Sequence, residues 1–544
     1  MKSAMIRIIL LSCIGLGAIG GACKSGKDAV TEVPENKPVT NPLTCAAQYE
    51  QSDYSVYRLS EDGVRIGDVM PYFDSSTGMF NVYYLKDIWN DATNRRHPWY
   101  ALKTDNFYSY TGLAAGEVLS CSSNPCSQDF ALGTGSIVKA NSTYYAFYTG
   151  HNPNYPSSCT TTKEGVMLAT SNSLSSAFTK NTSFATIYAP ANQGYDTNDN
   201  FRDPYVFYDD ASAKYVMILA ARKNVNGTWK GVIPYYTSTD LSSWTYQGVL
   251  YDGGLQSFFM METPEIFKSG SNYYLLFSDY DSKQVYYRKS TSLTGNWSKP
   301  AGFDRFDGKG LYAAKTAADA NGNRYIFGWT YVQTNNSDTG TPLWGGNLVV
   351  HKLNTKANGD LAVSIPPSLK ANLETQTQAI IKNSERGNVT TTDAAKHSYT
   401  ISSSASFDVA SVIFEPLSLD RYKINAQVSY TSSSKDFGFM IGACDATDQF
   451  YSLRFIPSQN RFSLDKTTRS QITNTTVATT DVPIALSPNT VYDVQIVIEN
   501  SMLVVYINNE VALSTRIYKA TNTSWGVFSD SSTASFNNIT VTKP

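Results

Sequence analysis

The chain has 544 residues, too many for one ordinary domain, with a formal net charge of −2 and a pI near 6.1. That balance excludes a broad electrostatic attraction to nucleic acid or to an anionic surface. Charged residues are only 17% and aromatics 13%, with Tyr the commonest aromatic at 37 copies, a composition that suits β-sheet and equally suits stacking on sugar rings.

The N-terminus reads as a targeting segment. Lys2 and Arg7 give it a positive start, Ile8 to Ile19 an apolar run too short to span a bilayer comfortably, and Gly20-Gly21-Ala22-Cys23 follows. Small residues before a cysteine resemble the lipobox of bacterial lipoproteins. Residues 1–22 are therefore expected to be removed and Cys23 to carry lipid; a plain secretory signal is the alternative. Residues 23–48, with Pro34, Pro38 and Pro42 among polar residues, read as a flexible tether. The expectation is an exported protein held to the cell envelope only through its lipid. Cys45, Cys121, Cys126, Cys159 and Cys444 remain, an odd set in which Cys121 and Cys126 are near enough in sequence to close a small loop. Four His and no His/Cys cluster give no ligand set for a structural zinc.

From residue 49 to 367 one short aromatic pattern recurs five times: Asn81–Leu85, Tyr144–Tyr148, Lys214–Ile218, Tyr273–Phe277 and Arg324–Gly328. A second phrase follows most copies, as in Tyr236–Trp244 and Tyr287–Trp297. Repetition of strand-rich units at this interval marks a β-propeller, here with five blades. Asp68, Asp203 and Glu262 each lie about 11–15 residues upstream of a blade's Tyr pair, in the stretch that leads into the innermost strand. Three carboxylates far apart in sequence are thereby expected to meet at one axial pocket. Trp244 and Trp297 recur by repeat position and are expected to plug the gaps between blades.

Residues 368–392 are polar, with a short helical stretch, and read as a linker. In residues 393–544 apolar side chains alternate. Val494, Ile496 and Ile498, then Leu503, Val505 and Ile507 after a short turn, predict a hairpin with a buried face. Short alternating strands with no helical period imply a β-sandwich, expected to pack on the propeller through an apolar seam. The fold class is all-β, a five-bladed propeller followed by a sandwich.

Phe201-Arg202-Asp203-Pro204 and Glu262-Thr263-Pro264-Glu265 resemble two signature motifs of glycoside hydrolase family 32, the β-fructosidases. The likeness continues through Gly133-Thr-Gly-Ser136, Tyr148-Thr149-Gly150, Phe306–Ala314, Phe327-Gly-Trp329 and Trp344-Gly-Gly346, in the family's order. The first motif departs from it: where the family has Trp-Met-Asn-Asp-Pro-Asn-Gly, this chain has Arg65-Ile-Gly-Asp-Val-Met-Pro71. Members of that family cleave fructosyl linkages with retention, through a covalent glycosyl-enzyme and without a cofactor. The resemblance implies Asp68 as nucleophile, Glu262 as acid/base and Asp203 as an ionised stabiliser of the transition state, kept charged by Arg202. Retaining chemistry needs the two reacting carboxyl groups about 5–5.5 Å apart. Glu262 suits proton transfer because it is the longer side chain, set among Phe258, Phe259, Met260, Met261 and Glu265. Arg202, His97, Ser136, Asp307 and Tyr312 are candidates for contacts with a carbohydrate substrate. The alternatives are a five-bladed arabinan- or galactan-directed glycosidase and a non-catalytic glycan-binding surface lipoprotein.

Overall fold

The computed structural model describes residues 54–88, 96–403, 409–432, 435–444, 449–468, 480–518 and 523–544. The signal, Cys23, the tether and Cys45 lie outside the described residues. What is described is all-β apart from the helix Pro367–Leu373 and two short 3-10 turns.

Residues 66–364 form five successive antiparallel units. Their first strands are Ile66–Asp74, Ala131–Ala140, Phe201–Asp209, Met261–Ser269 and Tyr312–Ala318. Each of the five repeated aromatic segments lies in the second strand of its unit, where side chains on both faces are buried. The first strands neighbour one another in the closed order one–two–three–four–five–one. Unit five also reaches unit one through a bridge between Ile66 and Gly346. Aromatics fill the wedges between units as expected: Trp244 of unit three meets Phe147 of unit two edge to face, ring centroids 5.5 Å apart.

Beyond them two antiparallel sheets enclose one core, built from residues such as Ile401, Phe414, Phe439, Phe455, Ile496 and Val527. The expected hairpin is present as Tyr492–Glu499 paired with Met502–Ile507. It is buried on both faces. Val494, Ile496, Ile498, Leu503, Val505 and Ile507 point into that core. The alternate Val497, Met502, Val504 and Tyr506 pack with Phe267, Tyr274, Leu353 and Val363 in an apolar seam against units four and five. The stretch read as a linker is structured. Leu369 and Leu373 of its helix are buried in the seam, and Gln376–Gln378 and Lys382–Arg386 are strands of the C-terminal sheets. Its polar composition concealed two apolar anchors one helical turn apart.

Cys126 is bonded to Cys159 rather than to Cys121. The Cys121 side chain instead packs against the apolar cluster holding Leu132 and Tyr148, which withdraws it from its sequence neighbour.

Candidate active site

Every first strand is interrupted by a β-bulge near its upstream end. The register slips at Asp68 in unit one, Gly133-Thr134 in unit two, Asp203-Pro204 in unit three, Thr263-Pro264 in unit four and Ala313-Ala314 in unit five. A bulge frees a residue from the ladder and re-aims its side chain. The prolines of the two signature motifs sit there because no ladder N–H is required. Asp203, Thr263 and Ala313 take φ of 60°, 47° and 48°, a strained conformation for residues with a Cβ that persists only where the surroundings enforce it. Asp68 and Asp203 thus ride on bulges, whereas Glu262 is the last ladder-paired residue before one, opposite Ser278. Arg202 and Tyr312 hold that same place in units three and five.

Because the bulges face one another around the ring, their side chains form one connected cluster. Asp68 accepts from Thr134 Oγ1 at 2.7 Å and from Trp329 Nε1 at 3.1 Å. Arg202 Nη2 donates to Glu262 Oε1 at 2.7 Å, and the Tyr312 hydroxyl donates to Glu262 Oε2. Asp203 Oδ2 accepts the Thr263 N–H at 2.9 Å, while its own N–H donates to Thr149 Oγ1 at 2.9 Å. Trp329 and Tyr312 pack edge to face with centroids 5.4 Å apart, which joins the Asp68 side of the cluster to the Glu262 side.

Burial raises the Asp68 pKa; the Thr134 hydrogen bond opposes that, and the charge of Glu262 adds to it. Burial also pushes Asp203 up to about 7, against Arg202, with Glu262 and Asp68 contributing. Arg202 pulls Asp203 down as expected, but burial outweighs it, and the guanidinium's own hydrogen bonds go to Glu262 and, at 3.3 Å, to Glu164. Burial would likewise raise Glu164, but Arg202, His151 and the Phe201 N–H outweigh it and hold that carboxyl well below the usual range.

Beneath the acids lies a second layer, formed by the next ladder-paired residues Gly135, Tyr205, Glu265 and Lys315. Lys315 Nζ donates to Gly135 O at 2.8 Å and lies 5.3 Å from the Tyr205 ring centroid. Burial lowers its pKa to about 8, although Asp203, Glu265 and Asp68 pull the other way. Glu265 belongs to this layer, accepting the Thr316 N–H at 2.5 Å and the Thr316 hydroxyl, and so does not share the place of Glu262. Of the apolar residues preceding Glu262, Phe258 and Met261 are core.

Asp68, Asp203, Glu262, Arg202 and Tyr312 are therefore brought together. Ser136 is not with them: its Oγ accepts the Val206 N–H at 2.9 Å, tying unit two to unit three. Asp307 lies in the seam, where Ser514 and His351 bind its carboxylate. His97 is buried in the wall behind Trp344, ring centroids 4.3 Å apart, and burial lowers its pKa to about 3. Trp344 explains one position of the altered first motif, Gly67. A Cβ at Gly67 would meet its indole carbons at 2.0–2.7 Å, so the glycine that stands before Asp68 makes room for that ring. Thr134, Trp329, Trp344, Glu164 and Lys315 received no role from the sequence. The first three lie inside the recognised motifs, which was the available signal.

The N-terminal domain model of glycosyl hydrolases family 32 matches residues 72–364, and the family's C-terminal model matches residues 372–543. The chain belongs to glycosyl hydrolase family 32. Among curated relatives, raffinose invertase of Escherichia coli is 29% identical over 164 residues, 28% of this chain and 33% of that protein. Sucrose-6-phosphate hydrolase of Staphylococcus xylosus is 30% identical over 191 residues, 32% of this chain and 37% of that protein. These matches span about a third of the length of those relatives. Among solved structures, the beta-fructofuranosidase of Aspergillus kawachii complexed with glycerol superposes with a TM-score of 0.67 at 19% identity, covering 93% of this chain and 96% of that one. The Bombyx mori family 32 beta-fructofuranosidase gives 0.62 at 17% identity, covering 90% and 93%. Such identities carry the fold.

Proposed function

We propose that this protein is a β-fructosidase, a hydrolase of fructosyl linkages that acts with retention of configuration. The observation that carries the reading is the convergence, in a family 32 chain, of Asp68 and Asp203, each on a bulge, with Glu262, which stands directly before one. In this reading the five units are the blades of a propeller within residues 49–367, and the two C-terminal sheets are a β-sandwich whose strands run from Gln376 to Lys543, taking in the stretch expected to be a linker. An Asp68 carboxylate oxygen attacks the anomeric carbon as the bond to the leaving-group oxygen breaks, and Glu262 gives that oxygen its proton. Glu262 then takes a proton from water, whose oxygen displaces Asp68 and releases the sugar. Thr134 and Trp329 fix the attacking carboxylate, Arg202 and Tyr312 fix the acid/base, and Asp203 faces the developing positive charge on the ring. Residues 1–22 serve as a lipoprotein signal and Cys23 as the lipidation site, so the enzyme is exported and tethered by residues 23–48. Palmitate labelling that persists in Cys23→Ala would remove the anchor.

Purified protein is assayed in parallel on sucrose, inulin, levan and arabinan, with NMR detection of the first-formed anomer. Release of fructose in its retained configuration is expected. Release from arabinan alone would assign a different glycosidase, and an inverted first product would discard the covalent step.

A further inference from the structure

Glu262 marks the side from which a leaving group departs, because its proton goes to the bond being broken while the nucleophile attacks from the opposite face. On that side runs a row of side chains that the hydrolytic steps leave unused. Lys283 Nζ lies 5.0 Å from the ring centroid of Tyr312, the residue that holds Glu262, and 4.0 Å from that of Tyr280. Tyr280 packs on Phe259 with centroids 5.0 Å apart. The Arg222 guanidinium carbon sits 4.0 Å from the Phe259 ring centroid and 5.9 Å from that of Trp229. The row is continuous from Glu262 outward.

Its backbone is fixed. Tyr280 follows directly on the strand Asn272–Asp279, and since Ser278 pairs with Glu262, Tyr280 emerges at the same end of the sheet. Its N–H donates to Met260 O at 3.1 Å. The segment carrying Phe259 is clamped to the neighbouring unit by the Gly231 N–H, which donates to Phe258 O at 2.7 Å. A Cβ at Gly231 would lie 2.8 Å from Met260 Cα, so only glycine permits this approach.

Two properties of the row point to a ligand. Tyr280 and Trp229 remain 40% and 45% exposed, large for aromatic side chains. Arg222 and Lys283 face rings instead of carboxylates: neither makes a salt bridge among the described residues, and Arg222 Nε is buried without a hydrogen-bond partner. Exposed ring faces flanked by unpaired donors match a neutral carbohydrate, whose C–H faces stack on aromatics while its hydroxyls accept hydrogen bonds. Counted outward from Glu262, Tyr312 and Lys283 come first, followed by Tyr280, Phe259, Arg222 and Trp229.

We infer that the ledge formed by Lys283, Tyr280, Phe259, Arg222 and Trp229 binds the leaving-group half of the substrate over at least two sugar units. The substrate class is then an oligo- or polysaccharide of fructose in preference to a disaccharide. The inference rests on the fructoside reading above.

The test is kcat/KM on sucrose and on fructo-oligosaccharides of three to six units, with sucrose 6-phosphate as an anionic control, for the wild type and for Tyr280→Ala, Phe259→Ala and Lys283→Ala. The wild type should prefer the longer substrates. The ratio of kcat/KM on the longest substrate to that on sucrose should fall about tenfold in Tyr280→Ala, the scale of one lost stacking contact. Melting temperatures should be preserved in this variant, since the tyrosine is partly exposed. A wild-type ratio near one, or a ratio unchanged in all three variants, overturns the ledge. A preference for sucrose 6-phosphate over sucrose that Lys283→Ala abolishes also overturns it and makes Lys283 an anion contact. A wild type inert on every fructoside defeats the fructosidase reading instead. In that case loss of oligosaccharide binding by Tyr280→Ala, measured calorimetrically, still supports the ledge, and undiminished binding overturns it.

Discussion

In the seam, Asp307 accepts four hydrogen bonds: from the Gly308 N–H at 2.6 Å, the Ser514 N–H at 2.7 Å, the Ser514 hydroxyl at 2.6 Å and His351 Nε2 at 2.9 Å. Nearby, Glu499 accepts the backbone N–H groups of Ser55, Val56 and Tyr57. In the ring mouth, Asp203 is buried equally well yet its carboxylate takes one backbone N–H, from Thr263, on a strained bulge. Both regions bury charge, but the seam surrounds each carboxylate with donors, while the mouth leaves Asp203 with one and sets it near the charges of Glu262 and Asp68. Satisfied carboxylates hold parts of the chain together. Undersatisfied ones retain free energy that a substrate can release, which is the usual condition of catalytic acids.

The strongest break of this contrast is Asp68→Asn. The amide keeps the shape and can still meet Trp329 Nε1, but it is no nucleophile, so turnover should fall by roughly four orders of magnitude or more. Melting temperature should hold or rise. Initial rates paired with thermal melts check this; a variant that keeps its rate but melts early would place Asp68 among the structural carboxylates.

Next is Glu262→Gln, expected to cost about 10²–10⁴ in rate on natural substrates, the range of a lost proton donor. An activated aryl leaving group needs little protonation, so cleavage of that substrate should be partly spared, and azide should rescue release of the glycosyl-enzyme. Asp203→Asn should show neither behaviour. If the two variants match on both substrates, Glu262 is not the acid/base.

Asp307→Ala tests the other side. Removing one partner strands buried His351 and Ser514, and destabilisation of about 3–5 kcal/mol is expected. The folded fraction should keep kcat within about twofold. Denaturant unfolding alongside activity decides it, and a normal midpoint with lost activity would return Asp307 to the substrate site.

The same contrast sets what the sequence could show. Repetition made the five aromatic strands and the three acids legible, because each depends on a pattern that local residues carry. Hydrogen-bond partners depend on bulge geometry and on which unit lies next door. Ser136 and Thr134 sit two positions apart in one motif, yet the bulge at Gly133-Thr134 sends the threonine to Asp68 and leaves the serine to cap Val206. Asp307 was misplaced because its partner Ser514 is 207 residues away in the C-terminal sheets. Arg202 does act on the charge of its sequence neighbour Asp203, but its hydrogen bonds reach across to Glu262 and Glu164, which no local pattern records.

The smallest expected effect is a pH dependence of stability. Asp203 titrates near 7 in the folded protein, above its ordinary 3.8, chiefly because it is buried. Between those values the folded chain holds a proton that the unfolded chain has released, so this residue's contribution to stability falls as pH rises from about 4 to about 7. Asn cannot titrate and still accepts the Thr263 N–H, so Asp203→Asn should lack that slope. Lys315 does not reverse the sign. Loss of the neighbouring carboxylate lowers its folded pKa further, which favours the variant increasingly with rising pH. Asp68 works in the same direction: it and Asp203 raise one another, so loss of the Asp203 charge lowers the folded Asp68 pKa and lessens the stability the variant loses as pH rises. The melting temperature of Asp203→Asn minus that of the wild type should therefore grow by about 2–4 °C between pH 4 and pH 8. A difference that stays flat or shrinks over that range would mean that Asp203 is ionised at no cost, and its place beside the seam's satisfied carboxylates would follow.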